Sequence, residues 1–297
     1  MAQKSFSTFV IMYKDTIQLV ECPRDAMQGW KTNIPTAKKI AYLNTLLKIG
    51  FHTLDCGSFV SPKAIPQMAD TAEVIAQLDI ENTSTKILTI IANSRGAMQA
   101  MDFEQINYLG FPFSISPTFQ KRNANQTIEE ALEQVITIQK LCVQRGKILV
   151  VYISMAFGNP YEDVYNEALV LTWVQKIASL GITTISLSDT VGLATARQIK
   201  SLLTILIPAY PNIQFGVHLH ASSTGWKEKL DAAYTAGCTR FDGAIKGIGG
   251  CPMADDILIG NMNTEWIIEY MQQQNIPLHI HKKYLQQAIE EADKLFI

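Results

Sequence analysis

Thr16-Ile17-Gln18-Leu19-Val20-Glu21-Cys22 runs directly into Pro23-Arg24-Asp25-Ala26. The first part has the β-branched and apolar content of a strand. The second part carries a proline and two opposite charges, where an open, doubly wound, dinucleotide-binding sheet would place a GxGxxG turn. With no glycine nest for a pyrophosphate, this strand end argues for a different parallel fold. Seven further apolar runs follow, at 53–56, 87–91, 106–111, 148–153, 183–188, 213–219 and 239–245. Between them lie segments with amphipathic helical spacing, among them 36–49, 127–144, 165–180, 195–207 and 226–236.

Eight strands, each followed by a helix, are expected to run parallel, because each crossover packs back on the sheet and covers it. The 297 residues leave room for eightfold closure, which takes about 250. The expected fold is α/β, a TIM (β/α)8 barrel with a short C-terminal helical extension. No long Gly/Ser/Pro linker divides the chain, so one domain is expected over 1–297, the barrel at about 15–272 and the extension at 273–297.

Composition narrows the function classes. Hydrophobic residues make up 47% and charged residues 18%, a globular balance. The 25 Lys+Arg against 27 Asp+Glu give a net charge of −2, with no basic run to meet nucleic acid. No apolar stretch reaches the roughly 18 to 20 residues of a membrane span, and the N-terminus has no signal-like block. Cys22, Cys56, Cys142, Cys238 and Cys251 are odd in number and form no CxxC pair, which excludes a disulfide framework and a zinc ribbon. A cytoplasmic location without membrane or nucleic-acid partners is expected.

In such a barrel the chemistry collects where the strands end at their carboxyl side. There the chain places Arg24 and Asp25, then Asp55-Cys56-Gly57-Ser58, Ser188-Asp189-Thr190, His218-Leu219-His220, and Asp242 leading into Gly247-Ile248-Gly249-Gly250-Cys251. His218 and His220 stand two apart, so on a strand their β-carbons lie about 7 Å apart on one face, and two imidazoles can grip one metal. Asp25 is the best carboxylate to join them, although a helix cap or an ion pair with Arg24 would also explain it. Mixed nitrogen and oxygen donors favour Mg²⁺ or Mn²⁺. A second His-x-His, His279-Ile280-His281, precedes Lys282-Lys283 and reads as a solvated turn or helix start. Cys251 sits on a glycine-rich loop and is either an acid–base thiol or a packing residue.

Taken in order, these segments resemble the hydroxymethylglutaryl-CoA lyase family of metal-dependent barrels. The likeness is carried by Val20-Glu21-Cys22-Pro23-Arg24-Asp25-Ala26-Met27-Gln28, Ser58-Phe59-Val60-Ser61-Pro62-Lys63, Ser186-Leu187-Ser188-Asp189-Thr190-Val191-Gly192, the first His-x-His and the glycine-rich cysteine loop. The resemblance implies a divalent cation, Mg²⁺ or Mn²⁺, on Asp25, His218, His220 and Asn261. It implies catalytic roles for Arg24, Asp25, Asp55, His218 and Cys251, and substrate contacts for Gln28, Ser58, Asp189, Gly249 and Gly250. The implied reaction is cleavage of 3-hydroxy-3-methylglutaryl-CoA, or a close acyl-CoA, to acetyl-CoA and acetoacetate, in a homo-oligomer, a dimer. A condensing enzyme of the same superfamily and a non-catalytic metal-binding barrel are the alternatives. The chain departs from the family pattern at Asp55, where a glutamate is usual, at Ala221, where an aspartate is usual, at Lys246, and between Cys251 and Asn261.

Overall fold

Parallel pairing of the apolar runs, each with the next, generates the architecture of the computed structural model, which describes residues 17–250 and 259–297. The strands are β1 (Gln18–Glu21), β2 (Thr53–Ser58), β3 (Lys86–Ile90), β4 (Ile106–Ser114), β5 (Ile148–Ser154), β6 (Thr184–Ser188), β7 (Gln214–His218) and β8 (Arg240–Gly243). The last strand returns to the first with Gln18 opposite Arg240 and Glu21 opposite Gly243, so the sheet closes as a TIM barrel. Thr16, expected in the first strand, lies outside the described residues.

Around the sheet run α1 (Pro23–Gln28), α2 (Thr36–Leu46), α3 (Thr71–Ala76), α4 (Ser94–Met101), α5 (Pro117–Ala124), α6 (Ile128–Arg145), α7 (Glu167–Ala178), α8 (Ala196–Ala209), α9 (Trp226–Thr235), α10 (Thr264–Gln273) and α11 (Lys282–Leu295). Local chemistry sets their ends. Thr127 with Glu130 and Thr195 with Gln198 form capping boxes that satisfy otherwise orphaned amides at the starts of α6 and α8. Gly146 stops α6 at φ 63°, in the left-handed region. The expected C-terminal extension is α11, which packs on α2. Its entry is held by His281 N–H donating to the Ile49 carbonyl at 2.8 Å, and both His279 and His281 are exposed, as the solvated turn requires. Among the described residues no helix is long and apolar enough to cross a membrane.

The main core lies between the sheet and the helices, with Leu43, Leu54, Ile138, Ile185, Leu203 and Phe241 nearly inaccessible. A second, smaller cluster of Leu88, Val150 and Tyr152 fills the inside of the barrel. The inside also holds a fully buried charge, Arg240, whose guanidinium carbon lies 5.6 Å from the centre of the Tyr108 ring. Gly216 is paired with Arg240 across β7 and β8, and a β-carbon there would come within 3.0 Å of the arginine chain, so the glycine makes the room.

Glu21 secures the closing seam. It is fully buried at the end of β1, accepting from Ile245 N–H at 2.8 Å and bonding Thr264 Oγ1 at 2.5 Å, which ties the first strand to the segment after the last. Burial, only partly offset by those bonds, pushes its carboxyl up to about 8. The unfolded chain releases this proton near 4.5. The stabilising contribution is therefore full below pH 4.5 and is lost as pH rises through about 8. Glu21→Gln keeps the shape and removes the titration. Urea unfolding should show stability falling between about pH 5 and pH 8.5 in the parent by more than in the variant. Equal pH slopes in the two proteins would show that Glu21 is ionised in the fold.

Candidate active site

The carboxyl ends of the strands surround a cavity of ≈ 270 Å³. Arg24, Asp25 and Gln28 reach it from α1, which begins at Pro23 as soon as β1 ends. Proline suits a first helical position because its missing N–H would have had no intrahelical partner. The short helix therefore turns the charged pair into the mouth rather than out to solvent. Arg24 Nη1 donates to Asp25 Oδ1 at 2.9 Å, while Nε and Nη2 fork onto Asp55 Oδ2 at 3.1 and 2.5 Å. Burial opposes the guanidinium charge, and Asp55 and Asp25 more than offset that, holding its pKa above the ordinary value.

The strand that carries Asp55 is irregular beside it. Asp55 pairs with Leu88 and Gly57 with Thr89, so Cys56 is an extra residue in β2, a bulge of the kind that re-aims a neighbouring side chain. Burial pushes Asp55 up to about 6 against the pull of Arg24, and the carboxyl is mainly ionised at neutral pH.

Asp25 has its two oxygens directed by neighbours: Oδ1 accepts from Gln28 Nε2 at 2.8 Å and Oδ2 from Asn261 Nδ2 at 2.8 Å. Burial would raise its pKa, but Arg24, His218 and the Asn261 bond reverse the effect and leave it at about 2. The segment carrying Asn261 is strapped beside the end of β7 by Ala221 N–H to the Gly260 carbonyl at 3.1 Å and Met262 N–H to the Leu219 carbonyl at 2.9 Å. Its Nδ2 also donates to the Ile248 carbonyl at 2.9 Å, and two acceptors on one side fix which end of the amide is nitrogen. Asn261 Oδ1 is then buried without a hydrogen-bond partner.

The two expected histidines do converge, with ring centres 5.4 Å apart. His218 turns Nδ1 toward Asp242 Oδ2 at 3.3 Å, leaving Nε2 for the Asp25 side. Burial would lower its pKa, and the bond and charge of Asp242 raise it overall. Burial together with His218 pushes His220 down to about 3, so this imidazole is neutral, the state a metal ligand requires. Lys229 anchors the turn, donating to the His220 carbonyl and to Asp189 Oδ2, each at 2.7 Å.

One ligand atom each from Asp25, His218 and His220 lies within 4.8 Å of the others. With the orphaned Asn261 oxygen they form a mixed nitrogen and oxygen set that fits a divalent cation. Gly249 is part of the fit. At φ 103° a β-carbon would come within 2.6 Å of Asn261 Nδ2 and 2.9 Å of the Asp25 carbonyl oxygen, so only a glycine lets the backbone pass this close to both residues. Gly250 follows at φ 132°.

Of the five expected substrate contacts only Gln28 lines the cavity, while Ser58, Asp189, Gly249 and Gly250 are not on its wall. Asp189 does not line the cavity: its carboxylate is occupied by Lys229 and by Ala194 N–H at 2.8 Å. Ser58 is also off the cavity wall, its hydroxyl accepting from Val60 N–H at 3.2 Å. Cys251 lies outside the described residues. Asp242, Tyr152, Ser154, Ser188 and Thr190 line the cavity and were not among the expected site residues. Their only signal was their place at strand ends, which many structural residues share.

The HMGL-like family pattern matches residues 17–295. The chain belongs to this family. It is 30% identical to hydroxymethylglutaryl-CoA lyase YngG of Bacillus subtilis, over 90% of this chain and 88% of that protein. It is 32% identical to the mitochondrial hydroxymethylglutaryl-CoA lyase of Bos taurus, over 85% of this chain and 77% of that one. An HMG-CoA lyase from Acinetobacter baumannii, solved in complex with coenzyme A and 3-methylmalate, superposes with a TM-score of 0.88 at 31% identity, covering 95% and 92% of the two chains. With lyases as its relatives and structural neighbours, this member of the HMGL-like family is an enzyme of hydroxymethylglutaryl-CoA lyase type. The glycine-rich loop generates a test within that family. Gly249→Ala should lower Mn²⁺ affinity, measured by calorimetry on the folded variant, by about tenfold or more. Unchanged affinity would mean that the loop does not hold Asp25 and Asn261.

Proposed function

We propose that this enzyme cleaves 3-hydroxy-3-methylglutaryl-CoA, or a close acyl-CoA, to acetyl-CoA and acetoacetate with the help of Mg²⁺ or Mn²⁺. The observation that carries the reading is the convergence of Asp25, His218, His220 and the unpaired oxygen of Asn261 beside a buried arginine. Those four residues would hold the cation, which when bound supplies Lewis acidity to the substrate's C3 hydroxyl and carboxylate.

The C3 hydroxyl proton passes to a base, His218 or the Cys251 thiolate, the bond between C2 and C3 breaks as the C3–O bond becomes a carbonyl, and the electron pair passes to the thioester as an enolate. Arg24 meets the oxygen on which that charge collects. Three of its five N–H donors are held by Asp25 and Asp55, and the remaining two are free to face the substrate. Because the guanidinium is fixed before the reaction, no reorganisation is required as the charge develops. The enolate carbon then takes a proton from His218 or Cys251, giving acetyl-CoA. Val60, Ile65, Ile90, Pro112 and Phe119 make an apolar wall on the cavity that keeps bulk water from the enolate.

Release of acetyl-CoA and acetoacetate from 3-hydroxy-3-methylglutaryl-CoA is expected with Mn²⁺ or Mg²⁺ and should disappear on chelation. Arg24→Ala should cost about 10²- to 10³-fold in kcat, as loss of an oxyanion donor does, measured on the folded fraction of a variant that is less stable because Asp25 and Asp55 lose their cation. A folded, metal-loaded protein that turns over neither this thioester nor its near homologues would overturn the assignment.

A further inference from the structure

Cys22 ends the first strand segment one residue before Pro23, His218 ends β7, and Asp242 lies opposite His218 in the β7–β8 register. One ligand atom from each of the three lies within 4.8 Å of the others, and all three line the cavity. Asp242 is 3% exposed, and its Oδ1 has no hydrogen-bond partner while Oδ2 faces His218 Nδ1 at 3.3 Å. A thiol, an imidazole nitrogen and a half-satisfied buried carboxylate thus meet on the Nδ1 side of His218. With Nδ1 turned to Asp242, Nε2 is the nitrogen left for Asp25 and His220.

We propose that Cys22 Sγ, His218 Nδ1 and the Asp242 carboxylate form a second cation site that takes a thiophilic divalent ion, Zn²⁺ in preference to Mg²⁺. The donor set decides the preference. A thiolate is a soft ligand, and sulfur, nitrogen and oxygen at three corners leave a fourth tetrahedral position open, a pattern that suits Zn²⁺ and not the six oxygens sought by Mg²⁺. Binding releases one proton, from the Cys22 thiol to solvent, and moves the imidazole hydrogen of His218 from Nδ1 to Nε2. A neutral imidazole has one nitrogen lone pair to give. Zinc on Nδ1 therefore withdraws His218 from the Asp25 and His220 group, and the two sites exclude one another. A thiophilic ion would act as an inhibitor of the hard-metal enzyme, whichever acyl-CoA it cleaves.

The full chain, stripped of metal, can be titrated with Co²⁺ as a spectroscopic stand-in for Zn²⁺. The parent should develop a thiolate-to-cobalt charge-transfer absorption that is kept in His220→Ala and in Cys251→Ser and lost in Cys22→Ser. Zn²⁺ affinity should fall at least about tenfold in Cys22→Ser, and Zn²⁺ should displace Mn²⁺ from the parent, read by the Mn²⁺ electron spin resonance signal. No charge-transfer band in the parent, or a band that survives Cys22→Ser or vanishes in Cys251→Ser, overturns the proposal. Should Cys22→Ser fail to fold, anomalous scattering from zinc-loaded parent crystals decides: an ion about 2.3 Å from Cys22 Sγ supports the site, and zinc bound only at Asp25 and His220 refutes it. Inactivity toward 3-hydroxy-3-methylglutaryl-CoA would leave every one of these readouts unaffected.

Discussion

A guanidinium taken out of water must be neutralised where it stands, and Arg24 meets that requirement with two carboxylates from different strands' ends. The clamp sets the geometry around it. Asp55 fixes one edge of the arginine and Asp25 the other, so the pair cannot rotate independently; Asp25 Oδ1 is shared between Arg24 and Gln28, and its Oδ2 turns to Asn261. Breaking such a buried pair costs about 3–5 kcal/mol, a large share of the 5–15 kcal/mol by which domains are stable. Charge counting gives the clamp its second consequence. Arg24 brings one positive charge to a mouth that holds Asp25, Asp55 and Asp242, and the excess of negative charge favours a divalent cation over a second arginine or lysine.

Most of the architecture was legible because parallel barrels advertise themselves: strands buried on both faces must be apolar throughout, and the helices between them must be amphipathic. The missing glycine turn after Val20 and Glu21 was enough to separate a closed sheet from an open one. The helices α1, α3, α4 and α5 carry six to eight residues each, too short for a clear period. The buried Arg240 was invisible for another reason. Its accommodation depends on Gly216, 24 positions earlier by the strand register, and on the face of Tyr108, a pairing that exists only after closure.

The site was read well where a motif carries its own geometry and less well where it does not. His218-Leu219-His220 converges because alternate residues of an extended segment share a face. Asp55 looked one methylene too short, yet it reaches Arg24, and the bulge beside it at Cys56 leaves no mark in composition. Asp189 and Ser58 stand in motifs that match the family, yet the structure gives them anchoring duties: Asp189 holds Lys229, which in turn holds the His220 carbonyl. Motif membership shows that a residue matters to the site without distinguishing the residue that touches a substrate from the one that steadies its neighbour.

The pairing of β1 with β8 brings together residues more than 200 positions apart, Gln18 with Arg240, and the hydrogen bond from Asn261 to Asp25 has a similar span. On a ribosome, Arg24 and Asp25 emerge together and Asp55 follows 31 positions later, but Asn261, which bonds Asp25, comes 236 positions after it. Two carboxylates and an arginine on the earliest segment cannot be buried cheaply until the final strand has arrived, so the incomplete barrel has an electrostatic reason to stay open at its seam. Closure of the seam and formation of the Asp25–Asn261 bond therefore belong to one late event, and a nascent fragment that stops short of Asn261 lacks the arrangement proposed to hold a cation.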